Sequence, residues 1–240
     1  MDILLEVCVD SPEGMEAAIA GGADRVEVCS ALALGGLTPT TTMLVDALAR
    51  EFPAVAMIRP RAGDFVWSKL EVDHMQAEID EALEMGADGI VIGANRPDGR
   101  LDTKVLKTLL KDMPDEVDLV LHRAIDLTPD PLEALDAAIA LGFNRVLTSG
   151  GALRAVDGLG RLKALFDRAR GRITIMPGSG ITPQNVGQLA ALLPLTEVHA
   201  SCAVSLPQDA RAVAMGFTGA ERRQTTVEQV RAMKAALLAL

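Results

Sequence analysis

Two short strings hold the densest chemistry in this sequence. LLEVCVDS, from Leu4, and RVEVCSAL, from Arg25, each place a glutamate two residues before a cysteine: Glu6 with Cys8, and Glu27 with Cys29. Two readings fit this repeat. The thiols could form a soft-metal site, or the carboxylates could do acid–base work with the cysteines as packing. AMIRPRAGDF adds Arg59 and Arg61 on the same parity as Met57, with Asp64 just beyond. A guanidinium binds carboxylate or phosphate bidentately, so both arginines are expected to hold an anionic ligand, or else to neutralise Glu6 and Glu27. LVLHRAID supplies His122, Arg123 and Asp126, and EVHASCAV sets Glu197, His199 and Ser201 on one face. A histidine at such a place can move a proton near neutral pH or ligate a metal. Ser149 in RVLTSGG and the glycines at 178 and 180 in IMPGSGITPQN complete the anion-holding candidates, because a glycine-rich turn lets backbone donors approach a ligand.

These residues need elements that gather them. Short apolar runs alternate with amphipathic helical stretches along the chain, the pattern of βαβ units and a parallel sheet. Strands are expected near Leu4–Val9, Arg25–Cys29, Val55–Arg59, Gly89–Gly93, Leu119–His122, Arg145–Thr148, Ile173–Met176 and Glu197–Ser201. Proline behind a capping residue marks helix starts at Ser11-Pro12, Thr38-Pro39, Asp130-Pro131 and Thr182-Pro183. Before several strands a junction of the form G-x-D/N recurs, as in Gly22-Ala23-Asp24, Gly86-Ala87-Asp88 and Gly142-Phe143-Asn144. Eight strand–helix units in 240 residues fit an α/β fold of the (β/α)8 TIM type better than an open doubly wound sheet. With no linker rich in Pro, Gly or Ser, residues 1–240 read as a single β/α barrel domain. Within it, 203–224 is expected as a long loop after strand eight and 225–240 as a C-terminal helix.

Strand parity then decides direction. Leu5, Val7 and Val9 belong against the helices, so Glu6 and Cys8 face the barrel interior, and Glu27 and Cys29 follow on strand two. If the barrel closes, strand eight borders strand one and brings His199 and Cys202 to the same side. The catalytic candidates are accordingly Glu6, Glu27, His122 and Asp126, at the carboxyl ends where barrel chemistry gathers.

Composition removes several classes. A net charge of −10 without a Lys/Arg-rich tract argues against a nucleic-acid partner. No apolar run approaches a membrane span, which argues against a membrane partner. Three cysteines without regular spacing point to reduced thiols and a cytoplasmic protein. None of the lysines falls in an expected strand, which disfavours a Schiff-base aldolase. Neither H-E-x-x-H nor G-x-S-x-G occurs, and no organic cofactor is indicated.

The strings LEVCVDS, GGADRVEVCS, GGLTP, MIRPRAGDF, HRAID, RVLTSGG and IMPGSGIT, in this order, resemble the CutC family, named for copper homeostasis. Members tend to read H-R-A-F-D-M where this chain has Ile125 and Leu127, and P-G-G-G where it has Ser179; both departures are conservative. The resemblance implies a β/α barrel, a cytoplasmic homodimer, and copper(I) bound through Cys8 and Cys29, with Met57 and Met176 offering thioethers nearby. The alternative, drawn from the residues themselves, is a TIM-barrel enzyme acting on a small phosphorylated or carboxylated metabolite, its role in copper handling indirect.

Overall fold

The computed structural model describes residues 2–240. Eight strands form one parallel sheet: β1 (Leu4–Val9), β2 (Arg25–Val28), β3 (Ala54–Met57), β4 (Gly89–Ile92), β5 (Asp118–Leu121), β6 (Arg145–Thr148), β7 (Thr174–Pro177) and β8 (Glu197–Ala200). Their order is β7-β6-β5-β4-β3-β2-β1-β8, so the last strand does pair with the first and the sheet curls into a nearly closed TIM barrel. Seven helices lie between them: α1 (Pro12–Gly21), α2 (Thr41–Leu48), α3 (Lys69–Glu84), α4 (Thr103–Leu109), α5 (Pro131–Ala140), α6 (Leu159–Ala169) and α7 (Val186–Ala190). His74 lies exposed on α3.

The G-x-D/N junctions have a physical reason. The glycine takes the left-handed turn out of the helix, as at Gly22 with φ of 90°. The Asp or Asn two residues on then pairs with the preceding strand of the sheet. Asp24 Oδ2 accepts from Leu5 N at 2.7 Å, Asp88 Oδ2 from Ala54 N at 2.8 Å, and Asn144 Oδ1 from Leu119 N at 2.7 Å. In each case its own backbone N–H returns a bond to the same residue's carbonyl. The repeat therefore satisfies backbone donors at the starts of β1, β3 and β5, where no strand partner does so.

Ser11 and Asp130 cap their helices as expected. At the other two Pro sites the sequence misleads. Thr40 rather than Thr38 caps α2, because Thr38 Oγ1 accepts from Arg59 N and donates to Glu78. Thr182-Pro183 opens a turn, and α7 begins only at Val186. The long loop expected over 203–224 is also corrected. It holds an antiparallel hairpin, β9 (Ala203–Pro207) with β10 (Glu221–Thr225), around the short α8 (Ala210–Ala214). The C-terminal helix α9 (Val227–Leu238) then packs on α1.

The apolar residues fall into two cores. The larger lies between strands and helices; the smaller fills the lumen with Cys29, Val55, Met57, Val91, Val120, Leu147 and Met176. With aromatics only 2% of residues, aliphatic and Met side chains supply most of both, each full burial contributing roughly 1.5–3 kcal/mol.

Asp88→Ala leaves the buried Ala54 N–H without an acceptor. Urea denaturation should show a loss of about 1–3 kcal/mol; a change within experimental scatter would contradict the role given to this junction.

Candidate functional site

Register carries the polar groups into the lumen in tiers. At the amino-terminal end, the first residues of four strands form a buried charge network. Arg145 pairs with Asp118 and, at 2.9 Å, with Glu197, whose Oε2 also accepts from Arg25 Nη2 at 2.7 Å. Arg25 Nε reaches upward to Glu6 Oε2 at 2.6 Å. Glu6, completely buried, receives His199 Nδ1 on its other oxygen at 2.7 Å. That bond places the hydrogen on Nδ1 and leaves Nε2 at 3.9 Å from Glu27 Oε2. The expected ion pairs of Glu6 and Glu27 with Arg59 and Arg61 do not form. Arg25 takes that role because it shares the inward parity of Glu27 and stands in register with Glu6.

Above Glu6, one ligand atom each from Cys8, Glu27 and His199 lies within 4.8 Å of the others. The Cys29 thiol donates to Glu27 Oε2 at 3.4 Å, so both thiols flank the same carboxylate. Glu27 Oε1 has no partner although the residue is buried. Electrostatics separates the two glutamates. Burial alone would raise Glu6, but the His199 hydrogen bond and the Arg25 charge hold it at about 2. Burial and the Glu6 charge raise Glu27, which His199 only partly offsets. Burial opposes charge on His199, yet Cys8, Glu27 and Glu6 together raise it well above the ordinary imidazole value. Burial, then Glu27, push the Cys29 thiol well up, and burial lifts Cys202 to about 12.

A cavity of about 780 Å³ opens from this cluster to the barrel mouth. His122 stands in its wall in the space left by Gly93, where a Cβ would sit 2.3 Å from the ring. Its Nδ1 accepts from Ala124 N at 3.1 Å, so Nε2 carries the hydrogen and is left buried without an acceptor. Burial, reinforced by the Arg59 charge, lowers His122 to about 3. The neutral ring offers its Nε2–H as a donor, because the Nδ1 lone pair is taken by Ala124 N.

The other candidates divide. Arg59 lines the cavity, but its terminal nitrogens are bound to the carbonyls of Leu34, Gly36 and Gly63, and Nε has no partner. Arg61 does not reach the cavity: it pairs with Glu71 at 2.5 Å and Asp64 at 3.0 Å and stacks on Trp67. Asp126 is filled by donors from Arg123, Thr148, Ser149 and Gly151 and organises the loop after β6, with Ser149 held inside that loop. Gly178 serves packing, since a Cβ there would meet Leu147 at 2.5 Å and His199 at 3.2 Å. Gly180 does line the cavity. His199 takes the inward place that EVHASCAV gives it, whereas Arg222 and Arg223 carry no signal in the sequence that would bring them to the site. The arginines stand in a polar segment that gives no strand signal.

The CutC family model matches residues 3–204. A CutC family protein of Sinorhizobium medicae is 53% identical over 239 residues, covering 99% of this chain and 97% of the relative. A human relative described as a copper homeostasis protein cutC homolog is 44% identical over 202 residues, 82% of this chain and 72% of the relative. Among solved structures, a putative copper homeostasis protein CutC from Streptococcus agalactiae superposes with a TM-score of 0.78 at 31% identity, covering 83% of this chain and 98% of that one.

A buried neutral histidine has a signature in acid. The unfolded chain protonates His122 near the ordinary imidazole value of 6.5 and the folded chain only near 3, so falling pH within that window favours unfolding. Glu6 adds a loss only as pH drops below the ordinary carboxyl value of 4.5 toward 2. Between pH 6.5 and 4.5, His122→Asn should therefore lose less stability than the parent, by up to about 1.4 kcal/mol per pH unit. Parallel stability–pH curves would refute this assignment.

Proposed function

This chain belongs to the CutC family, and on that premise we propose that it serves copper homeostasis by binding copper(I) as cargo inside the barrel mouth. The observation that carries the reading is the convergence of Cys8, His199 and Glu27. The donor chemistry suits the ion unequally. Thiolate is a soft ligand that selects copper(I), imidazole is an acceptable second donor, and a hard carboxylate is not. Cys8 and Cys29 are therefore the primary ligands, with His199 Nε2 beside them. Glu27 hydrogen-bonds the Cys29 thiol and is placed to take up its proton. Both thiols, and the imidazolium where it joins, must lose protons to bind the metal, so affinity rises with pH. The same reading puts the protein in the cytoplasm, a setting in keeping with three free thiols. It takes the chain to act as a homodimer, as the family resemblance implies.

The test is a copper(I) titration against a chelator of known affinity. The expected result is one ion per chain, bound more tightly at pH 8 than at pH 6. Cys8→Ser and Cys29→Ser should each weaken binding by about two orders of magnitude or more. Failure of the purified protein to compete for copper(I), or full affinity in both serine variants, would overturn the proposal.

A second reading is favoured by the cavity, which at about 780 Å³ far exceeds the space of one ion. It lies within the range of small-molecule sites. In this reading the barrel is an enzyme for a small anionic metabolite, with Glu27, raised by burial, as proton donor and His122 as a neutral hydrogen-bond donor. Turnover of an anionic metabolite that Glu27→Gln abolishes while circular dichroism is unchanged would support it; turnover unaffected by Glu27→Gln would remove this assignment.

A further inference from the structure

The cavity is rich in donors that the protein does not use. Deep in its wall, His122 Nε2 and Arg59 Nε are buried without an acceptor, in residues only 3% and 6% exposed. At its mouth, after β7, the backbone N–H groups of Ser179, Gly180 and Ile181 donate to no protein acceptor among the described residues. The hairpin adds Arg222 and Arg223 to the same lining. Arg223 Nη2 bonds the Ser201 hydroxyl at 3.0 Å and Arg222 Nη2 the Gln224 carboxamide at 2.9 Å. Neither these two arginines nor Arg59 is paired with a carboxylate among the described residues. In a chain with 33 acidic and 23 basic residues, three guanidiniums without a carboxylate around one cavity mark a place built for an external anion. Asp10, Glu27 and Glu221 share the wall, but none of them is paired with these arginines: Asp10 accepts from Leu32 N and Glu27 from the Cys29 thiol.

From this donor set we infer that the cavity binds a small organic phosphate, its phosphoryl group between the Ser179–Ile181 backbone donors and Arg222 and Arg223, its oxygen-bearing body reaching His122 and Arg59. Several backbone donors and two guanidiniums suit the terminal oxygens of a phosphate monoester, which accept more hydrogen bonds than a carboxylate offers. The middle of the cavity is faced by Met57, Phe65 and Leu147, and accepts the carbon skeleton between the two polar ends. This deepens the second reading by naming its ligand class, and it stands apart from the copper site at Cys8 and Cys29.

The test is thermal unfolding and calorimetric titration of the full chain with three probes at constant ionic strength: glycerol 3-phosphate, inorganic phosphate and glycerol. Glycerol 3-phosphate should bind and raise the melting temperature, phosphate should do so more weakly, and glycerol should do neither. Arg222→Gln with Arg223→Gln should weaken both anions by about tenfold or more, whereas Arg211→Gln, a surface arginine on α8 outside the cavity wall, should leave them unchanged. His122→Phe should weaken glycerol 3-phosphate but not phosphate. No binding of either anion, or equal losses in Arg211→Gln and the double variant, would overturn the site. Equal affinity for phosphate and glycerol 3-phosphate would overturn the organic body. Cys8→Ser should leave phosphate binding intact, and anion binding without any turnover would defeat the enzyme reading while leaving this one standing.

Discussion

The buried carboxylate of Glu6 is the constraint on which the rest of the site depends. It lies wholly out of water in the lumen, where an unpaired charge would be prohibitive, and it remains ionised because Arg25 and His199 each take one of its oxygens. Downward, the Arg25 contact joins it to Glu197, Arg145 and Asp118, which close the amino-terminal end of the barrel. Upward, the His199 contact fixes the orientation of the ring and so where its other nitrogen points. A ring held at Nδ1 presents Nε2 to Cys8 and Glu27; a ring free to rotate would not.

The lumen is thus layered by chemistry. Charge neutralised within itself sits at the bottom, aliphatic and sulfur side chains fill the middle, and groups with spare hydrogen-bonding capacity gather at the mouth. The doubled Glu-Val-Cys spans these layers. Its first glutamate is structural, its second faces the cavity, and its two cysteines flank that second carboxylate. The two sites we propose, for a soft ion and for an organic anion, share one opening while using different residues: thiols and imidazole below, guanidiniums and backbone donors above.

Much of the frame was legible along the chain. Parallel strands buried on both faces read as unbroken apolar runs, so the eight expected strands match the observed ones to within two residues at either end. The hairpin was not legible, because ERRQT is largely exposed and carries no alternation of apolar and polar residues to mark it. Thr38-Pro39 and Thr182-Pro183 misled for a related reason. A Thr-Pro pair is a local signal, and at Thr38 the hydroxyl is taken by Arg59 and Glu78 from elsewhere in the fold. Arg59 and Arg61 look alike in the sequence, yet one has its terminal nitrogens bound to three carbonyls beside the cavity and the other is paired outside it.

What the sequence determined by itself is parity. The alternation of side chains along a strand sends Glu6, Cys8, Glu27 and Cys29 inward whatever the rest of the chain does. Which inward acid meets which base was decided only by the tertiary structure. Arg25 reaches Glu6, and His199 reaches it across 193 residues of chain, because the registers of β1 with β2 and of β1 with β8 set them level. Register between strands far apart in sequence depends on the closure of the whole barrel, and no local run of residues encodes it.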